Sequence, residues 1–136
     1  MWGTTGIAYD SSLVEDPITG WEQLFDFSSG GFLDTYKGKI TRLDDLYETI
    51  PAALKYLGYS ANDVNDAHLN EAKNLLIQQK HYLMKYATAD FYLNALGDPA
   101  SSNLWIAHLW NGDALQASNT NSNLTYVLPS EGGVWW

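Results

Sequence analysis

The run NLWIAHLW at 103–110 constrains the fold more than any other stretch of the chain. It is the most continuously apolar strand candidate. A strand with one wet face alternates apolar and polar residues, and a nearly unbroken apolar run suits a strand covered on both faces. Covering both faces takes a layer of helices above and below. The run therefore predicts a layered α/β domain with 103–110 in the interior of the sheet.

The rest of the chain supplies those layers. Residues 2–9 (WGTTGIAY) mix small and β-branched residues and read as an opening strand. Asp16-Pro17 and Thr19-Gly20 mark a turn. A short helix is expected over 21–27, ended by the Ser-Ser-Gly-Gly loop at 28–31, and a strand over 36–41. Leu46, Ile50, Ala53, Leu54 and Leu57 recur at helical spacing, which predicts a helix over 44–57 with Gly58 as its stop. A second amphipathic helix is predicted over 66–79, with Leu69, Ala72, Leu75 and Leu76 on one face and Asn65 as N-cap. A strand at 82–86, a helix at 88–96 stopped by Gly97 and a short helix at 112–117 follow. A polar loop at 118–123, a strand at 124–128, a turn at 129–133 and a last strand over 134–136 complete the pattern. The expected architecture is one domain over 1–136. Its central sheet is mixed or mainly parallel, with about five strands and helices on both faces.

Charge and composition narrow the function. Seven basic residues against sixteen acidic ones give a net charge of -9, which disfavours nucleic acid as a partner and permits a cationic ligand. Absence of cysteine removes disulfides and thiolate metal sites. No apolar run approaches the ~20 residues of a membrane span, so no membrane insertion is expected. His68, His81 and His108 lie in unrelated segments without metal-ligand spacing and read as surface or satisfied core residues. No metal and no cofactor is expected. There is no Gly-rich phosphate loop and no G-x-S-x-G elbow. Six Trp and nine Tyr exceed what a core of this size needs, which suggests flat apolar walls for sugar rings or for an alkyl-ammonium chain.

Three carboxylates stand where chemistry could be done. Asp45 and Glu48 are three apart at the start of a helix. D-x-x-E there is a capping pattern suited to the helix dipole. The functional reading beside it is a carboxylate pair facing outward past the strand ends, where open α/β sheets bind ligands. Asp113 follows LWNG and stands at the next helix start, with the same two readings.

The blocks DDLYETIPAALKYLGYS (44–60), HLWNGDALQAS (108–118) and LPSEGGVWW (128–136) resemble the spermidine/putrescine-binding proteins of bacterial ABC importers. WGTTGIAYD (2–10) is similar to the segment where that family's chain passes from its first lobe to its second. The blocks occur in family order over essentially the whole chain. The resemblance implies a single lobe of a type II periplasmic binding protein, the second lobe, cut at both hinge strands. It also implies a non-catalytic, periplasmic or cell-surface lipoprotein receptor that hands a polyamine to an ABC permease.

Family roles carry onto matching positions. Trp110 resembles the indole along the polyamine's aliphatic chain, and Trp136 resembles the aromatic of the return strand. Glu48 resembles an acid that binds an amine. Asp45 matches the spermidine-type pattern and Asp113 the putrescine-type pattern. Thr88 lies near a family serine, beside an apparent insertion at 99–102 (PASS). The acid that the family places two residues beyond Trp136 has no counterpart, so any site is at most half a site.

Two other functions fit the same residues. One is a related importer receptor for a sugar or amino acid, using the same aromatics. The other is a carboxylate-pair glycosidase built on Asp45 and Glu48. The resemblance also implies that the indoles at 2, 135 and 136 lie at an uncovered surface, favouring weak, salt-promoted homodimerisation against the repulsion of -9 per chain.

Overall fold

A computed structural model describes residues 2–135. Among these residues, six strands and seven helices follow the order β1 (Thr4–Asp10), α1 (Trp21–Leu24), α2 (Phe32–Thr35), β2 (Ile40–Leu43), α3 (Leu46–Tyr56), α4 (Asp66–Lys80) and β3 (Lys85–Ala87). Then come α5 (Ala89–Gly97), α6 (Pro99–Ser102), β4 (Ile106–Trp110), α7 (Asn111–Ser118), β5 (Leu124–Val127) and β6 (Val134–Trp135). The sheet is mixed, in the order β3-β2-β4-β1-β5, with β6 also on β1. β2 runs parallel to β3 and β4, and β1 runs antiparallel to β4, β5 and β6.

Residues 106–110 of the apolar run form β4 in the sheet interior, between β2 and β1, while 103–105 lead out of α6 and are not strand. Ile106, Ala107, His108 and Leu109 are all fully buried, as a two-faced strand requires. Two cores result. One face carries Ile7, Ile40 and Ile106 under Trp21, Leu24, Leu33 and the α3 residues Ala53 and Leu54. The other carries Ala8, Leu43, Ala107 and Leu109 under Tyr92 and Leu96 of α5 and Ala114 and Ala117 of α7.

Two helix signals hold in detail, whereas α1 ends at Leu24 short of the expected 27 and Gly97 is the last residue of α5 and not the one after it. Asn65 Oδ1 accepts from the backbone N–H of Ala67 and His68, capping α4. Gly58 closes the α3 turn at φ +85, a backbone region open to glycine and strained for other residues. The segment 99–102 is a short extra helix, α6, with Asp98 as its cap.

Two strand expectations shift. Residues 36–39 are not strand: Tyr36 ends α2, its buried phenol donating to Asp16 Oδ2 at 3.0 Å, and β2 runs from Ile40 to Leu43. The cause is a side-chain clamp. Asp26 accepts from the backbone N–H of Ser28 and Phe32 and so starts a helical turn where apolar residues suggest a strand. Residues 82–84 are likewise a turn before β3, although Met84 N–H still reaches Ile40 O at 2.8 Å.

The turn before β6 is tied to α1. Glu131 accepts from the backbone N–H of Trp21 (2.9 Å) and Glu22 (3.0 Å), capping α1 from across the chain. The Trp21 indole donates to Gly132 O at 2.9 Å. β6 is thereby fixed both to β1 and to the helix layer.

Beneath α1 lies a fully buried cation. Arg42 points from β2 into the first core, its guanidinium 5.4 Å from the Trp21 ring and 5.6 Å from the Phe25 ring. It donates to Thr49 O at 3.4 Å, while Nε and Nη1 have no partner among the described residues. Burial pushes its pKa down to about 10. His108 stands on the same face, edge-on to Trp21 at 5.1 Å, with neither ring nitrogen hydrogen-bonded among the described residues. It is a core histidine but not a satisfied one.

Candidate functional site

β2, β3 and β4 run parallel, so Leu43, Ala87 and Trp110 end at one edge of the sheet. β1 runs the other way, and its Thr5 pairs with Trp110 at that edge. The sequence candidates follow those strand ends. Asp45 precedes α3, Thr88 precedes α5, Trp110 closes β4 and Asp113 lies in the first turn of α7.

The D-x-x-E pair divides its labour. Asp45 is the N-cap of α3, its Oδ1 accepting from Tyr47 N–H at 2.8 Å. Glu48 does not turn back to the cap. Its Oε1 accepts from the Trp110 indole Nε1 at 3.1 Å. Read from the sequence as one of a pair facing outward past the strand ends, Glu48 is instead only 7 % exposed. The indole from β4, 62 residues away in sequence, is half-buried at the strand end and joins it there. The second carboxylate oxygen, Oε2, is buried with no hydrogen-bond partner among the described residues. A buried carboxylate oxygen left without a donor is costly and suits an incoming cation.

Asp113 is held from within its own helix layer, on the face of the sheet opposite to α3. The phenol of Tyr92 in α5, itself fully buried, donates to Asp113 Oδ2. Burial, and then that bond to Asp113, push the Tyr92 pKa far above its ordinary value of 10, so it remains a neutral donor. Asp113 is half-buried and Thr88 is exposed without capping α5 through its side chain. Glu48 and Trp110 are thus in direct contact, Asp45 sits one turn from Glu48, and Asp113 and Thr88 share the edge on other elements. Trp136 lies outside the described residues. Its neighbour Trp135 is 61 % exposed and stacks on Trp2 at 5.5 Å, leaving an apolar patch.

Two features were not read from the sequence. Tyr92 fixes Asp113, and a polar string joins β1, β5 and α7: Thr4 N–H donates to Asn111 Oδ1 at 3.2 Å, and Thr4 Oγ1 lies 2.9 Å from Tyr126 Oη. The one available signal was Gly6, whose missing side chain makes room for the Tyr126 ring. Asp44 and Asp45 also border an open groove of about 620 Å³ between α3 and α4, floored by Leu43, Leu46, Ile50 and Ile77. Glu48 and Trp110 do not line it, so groove and buried carboxylate are separate places. Among the described residues no group of three potential ligands could hold a metal, and no helix is long and apolar enough to cross a membrane.

A family model for bacterial extracellular solute-binding proteins matches residues 1–136. The putrescine/cadaverine-binding protein of Pseudomonas aeruginosa is 30 % identical over 141 aligned residues, covering 96 % of this chain and 38 % of that protein. The spermidine/putrescine-binding periplasmic protein of Escherichia coli is 28 % identical, covering 100 % of this chain and 36 % of that protein. The crystal structure of the spermidine/putrescine ABC transporter substrate-binding protein of Streptococcus pneumoniae superposes with a TM-score of 0.84 at 27 % identity, covering 99 % of this chain and 38 % of that one. The chain spans less than two-fifths of the length of each.

Proposed function

Taking as premise that the chain belongs to the bacterial extracellular solute-binding proteins, we propose that it is the second lobe of a non-catalytic polyamine receptor. Putrescine or spermidine binds at the carboxyl edge of its sheet. The receptor works outside the cytoplasm, in the periplasm or as a cell-surface lipoprotein, and passes its ligand to an ABC permease. The observation that carries the reading is Glu48, a buried carboxylate with one oxygen on the Trp110 indole and the other unpartnered. An alkyl-ammonium ligand supplies N–H donors for that oxygen and a charged, apolar chain for the indole face. Asp45 and Asp113 add negative charge along the same edge. Thr88 and Trp136 are placed at the ligand by resemblance alone.

An NMR titration of the chain with putrescine, spermidine and a panel of sugars and amino acids tests this. Both polyamines should bind and the panel should not. Affinity should be weak, since a single lobe leaves the ammonium groups partly solvated and the ion pairs screened. Glu48→Gln should cost about 1.5–3 kcal/mol, the range for a hydrogen bond to a charged group. Submicromolar binding by the monomeric chain would remove the one-lobe reading, and an unaltered affinity in Glu48→Gln would remove the role of Glu48.

The stacked Trp2–Trp135 pair is proposed as the seat of weak self-association. Charge of -9 per chain opposes it, so sedimentation should show dimer rising with salt. A strict monomer at high salt and high protein concentration would refute the contact.

A further inference from the structure

Tyr126 is absent from every motif in the sequence, yet the fold delivers it to the rim. β4 and β5 are both antiparallel to β1, so they run parallel to one another and β5 also ends at the binding edge. In register Tyr126 lies opposite Ala8. Its ring leans further along β1, over Gly6, where a Cβ would stand 2.8 Å from the phenolic oxygen. Only small residues at 6 and 8 leave that path open. The hydroxyl arrives at Thr4 Oγ1, at 2.9 Å, and Thr4 is itself anchored to Asn111, the residue after Trp110. Burial and the nearby charge of Glu48 push the Tyr126 pKa above its ordinary value, with the Thr4 bond pulling the other way, so the phenol is neutral near pH 7.

Whichever of the two hydroxyls donates, the neutral phenolic oxygen keeps at least one lone pair free to accept. We propose that Tyr126 contacts the ligand, its phenolic oxygen sharing with Glu48 the terminal ammonium group of the bound amine. This rests on the polyamine reading of the rim. The division is chemical. Glu48 supplies the charge and one acceptor, and Tyr126 supplies an uncharged acceptor in a different direction. A primary ammonium has three N–H bonds to place, whereas a tertiary one has a single N–H. Two acceptors of this kind discriminate in favour of a primary amine, because a methylated nitrogen leaves one of them unmet.

Tyr126→Phe keeps the ring over Gly6 and removes only the oxygen. The probes are putrescine and N,N,N′,N′-tetramethylputrescine, titrated by NMR into the wild-type chain and the variant, with thermal unfolding of both. Putrescine binding should weaken about five- to tenfold, while binding of the tetramethylated probe should change less than twofold. If wild type binds no putrescine at all, the polyamine reading fails and this inference with it. If wild type binds and the variant binds both probes as tightly, the role of Tyr126 alone is overturned. Equal losses for both probes, accompanied by a lowered Tm, would assign Tyr126 a purely structural part and also overturn it.

Discussion

Trp21→Ala should destabilise the domain by about 3–5 kcal/mol, the upper range for truncating a buried aromatic. Trp21 is fully buried, and three separate interactions end on its indole. The Nε1–H bond to Gly132 O is lost, leaving that carbonyl without its donor. His108 loses the ring it meets edge-on. Arg42 loses one of the two aromatic faces against which its buried charge rests. The void cannot close easily, because α1 is tied at its start by Glu131. Trp21→Phe separates the contributions: it keeps much of the volume and should cost about 1–2 kcal/mol, mostly for the lost hydrogen bond. Urea unfolding curves read both. A loss below about 1.5 kcal/mol for Trp21→Ala would mean that the first core repacks around the gap.

Acid should weaken the domain in a way that one residue largely controls. His108 is fully buried, and burial first, then the neighbouring Arg42 charge, hold its pKa well below the ordinary 6.5. The folded state therefore keeps His108 neutral, while the unfolded chain takes up a proton as pH drops below 6.5. The unfolded state binds more protons, so stability rises with pH through this window and falls on acidification. With folded His108 neutral throughout, the contribution between pH 6.5 and pH 5 is about 1.6 kcal/mol, the slope rising from half of about 1.4 kcal/mol per pH unit at the midpoint. His108→Leu removes this dependence and keeps an apolar side chain in the core. The carboxylates and the two other histidines are common to both proteins and cancel in the difference. Unfolding free energies measured between pH 7 and pH 5 should diverge, with wild type the steeper. Parallel curves would show that His108 takes up its proton as readily in the folded state as in the unfolded one.

The elements were legible where a single local pattern dominated. The unbroken apolar run of β4 and the 3.6-residue spacing of α3 each admitted one reading. The stretch 36–39 was misread because its geometry is set by Asp26 and Asp16, whose carboxylates bind backbone and phenol from outside it. The site was legible in its acids and in Trp110, because their positions follow strand ends and helix starts. Its finer arrangement was not. D-x-x-E spacing cannot tell a capping pair from one in which the aspartate caps and the glutamate is buried, because the partner that holds Glu48 comes from β4. Tyr92 and Tyr126 look in sequence like ordinary core aromatics, and only the packing of α5 on α7 and of β5 on β1 turns their hydroxyls to Asp113 and Thr4.

Within this sheet β1 is made well before its three antiparallel neighbours, since β4, β5 and β6 all begin at residue 106 or later. On a ribosome adding ~5–20 residues per second, TTGIAYD leaves the tunnel roughly 5–20 s before its first partner strand exists. During that interval a segment whose seven residues are all buried in the finished sheet has both edges bare. Fast local helices form meanwhile, but the sheet cannot close around β1 until residues 106–135 have been made. Productive folding in the cell therefore depends on keeping those few residues covered while they wait, which makes this strand the natural target for a holding chaperone and the weak point when none is free.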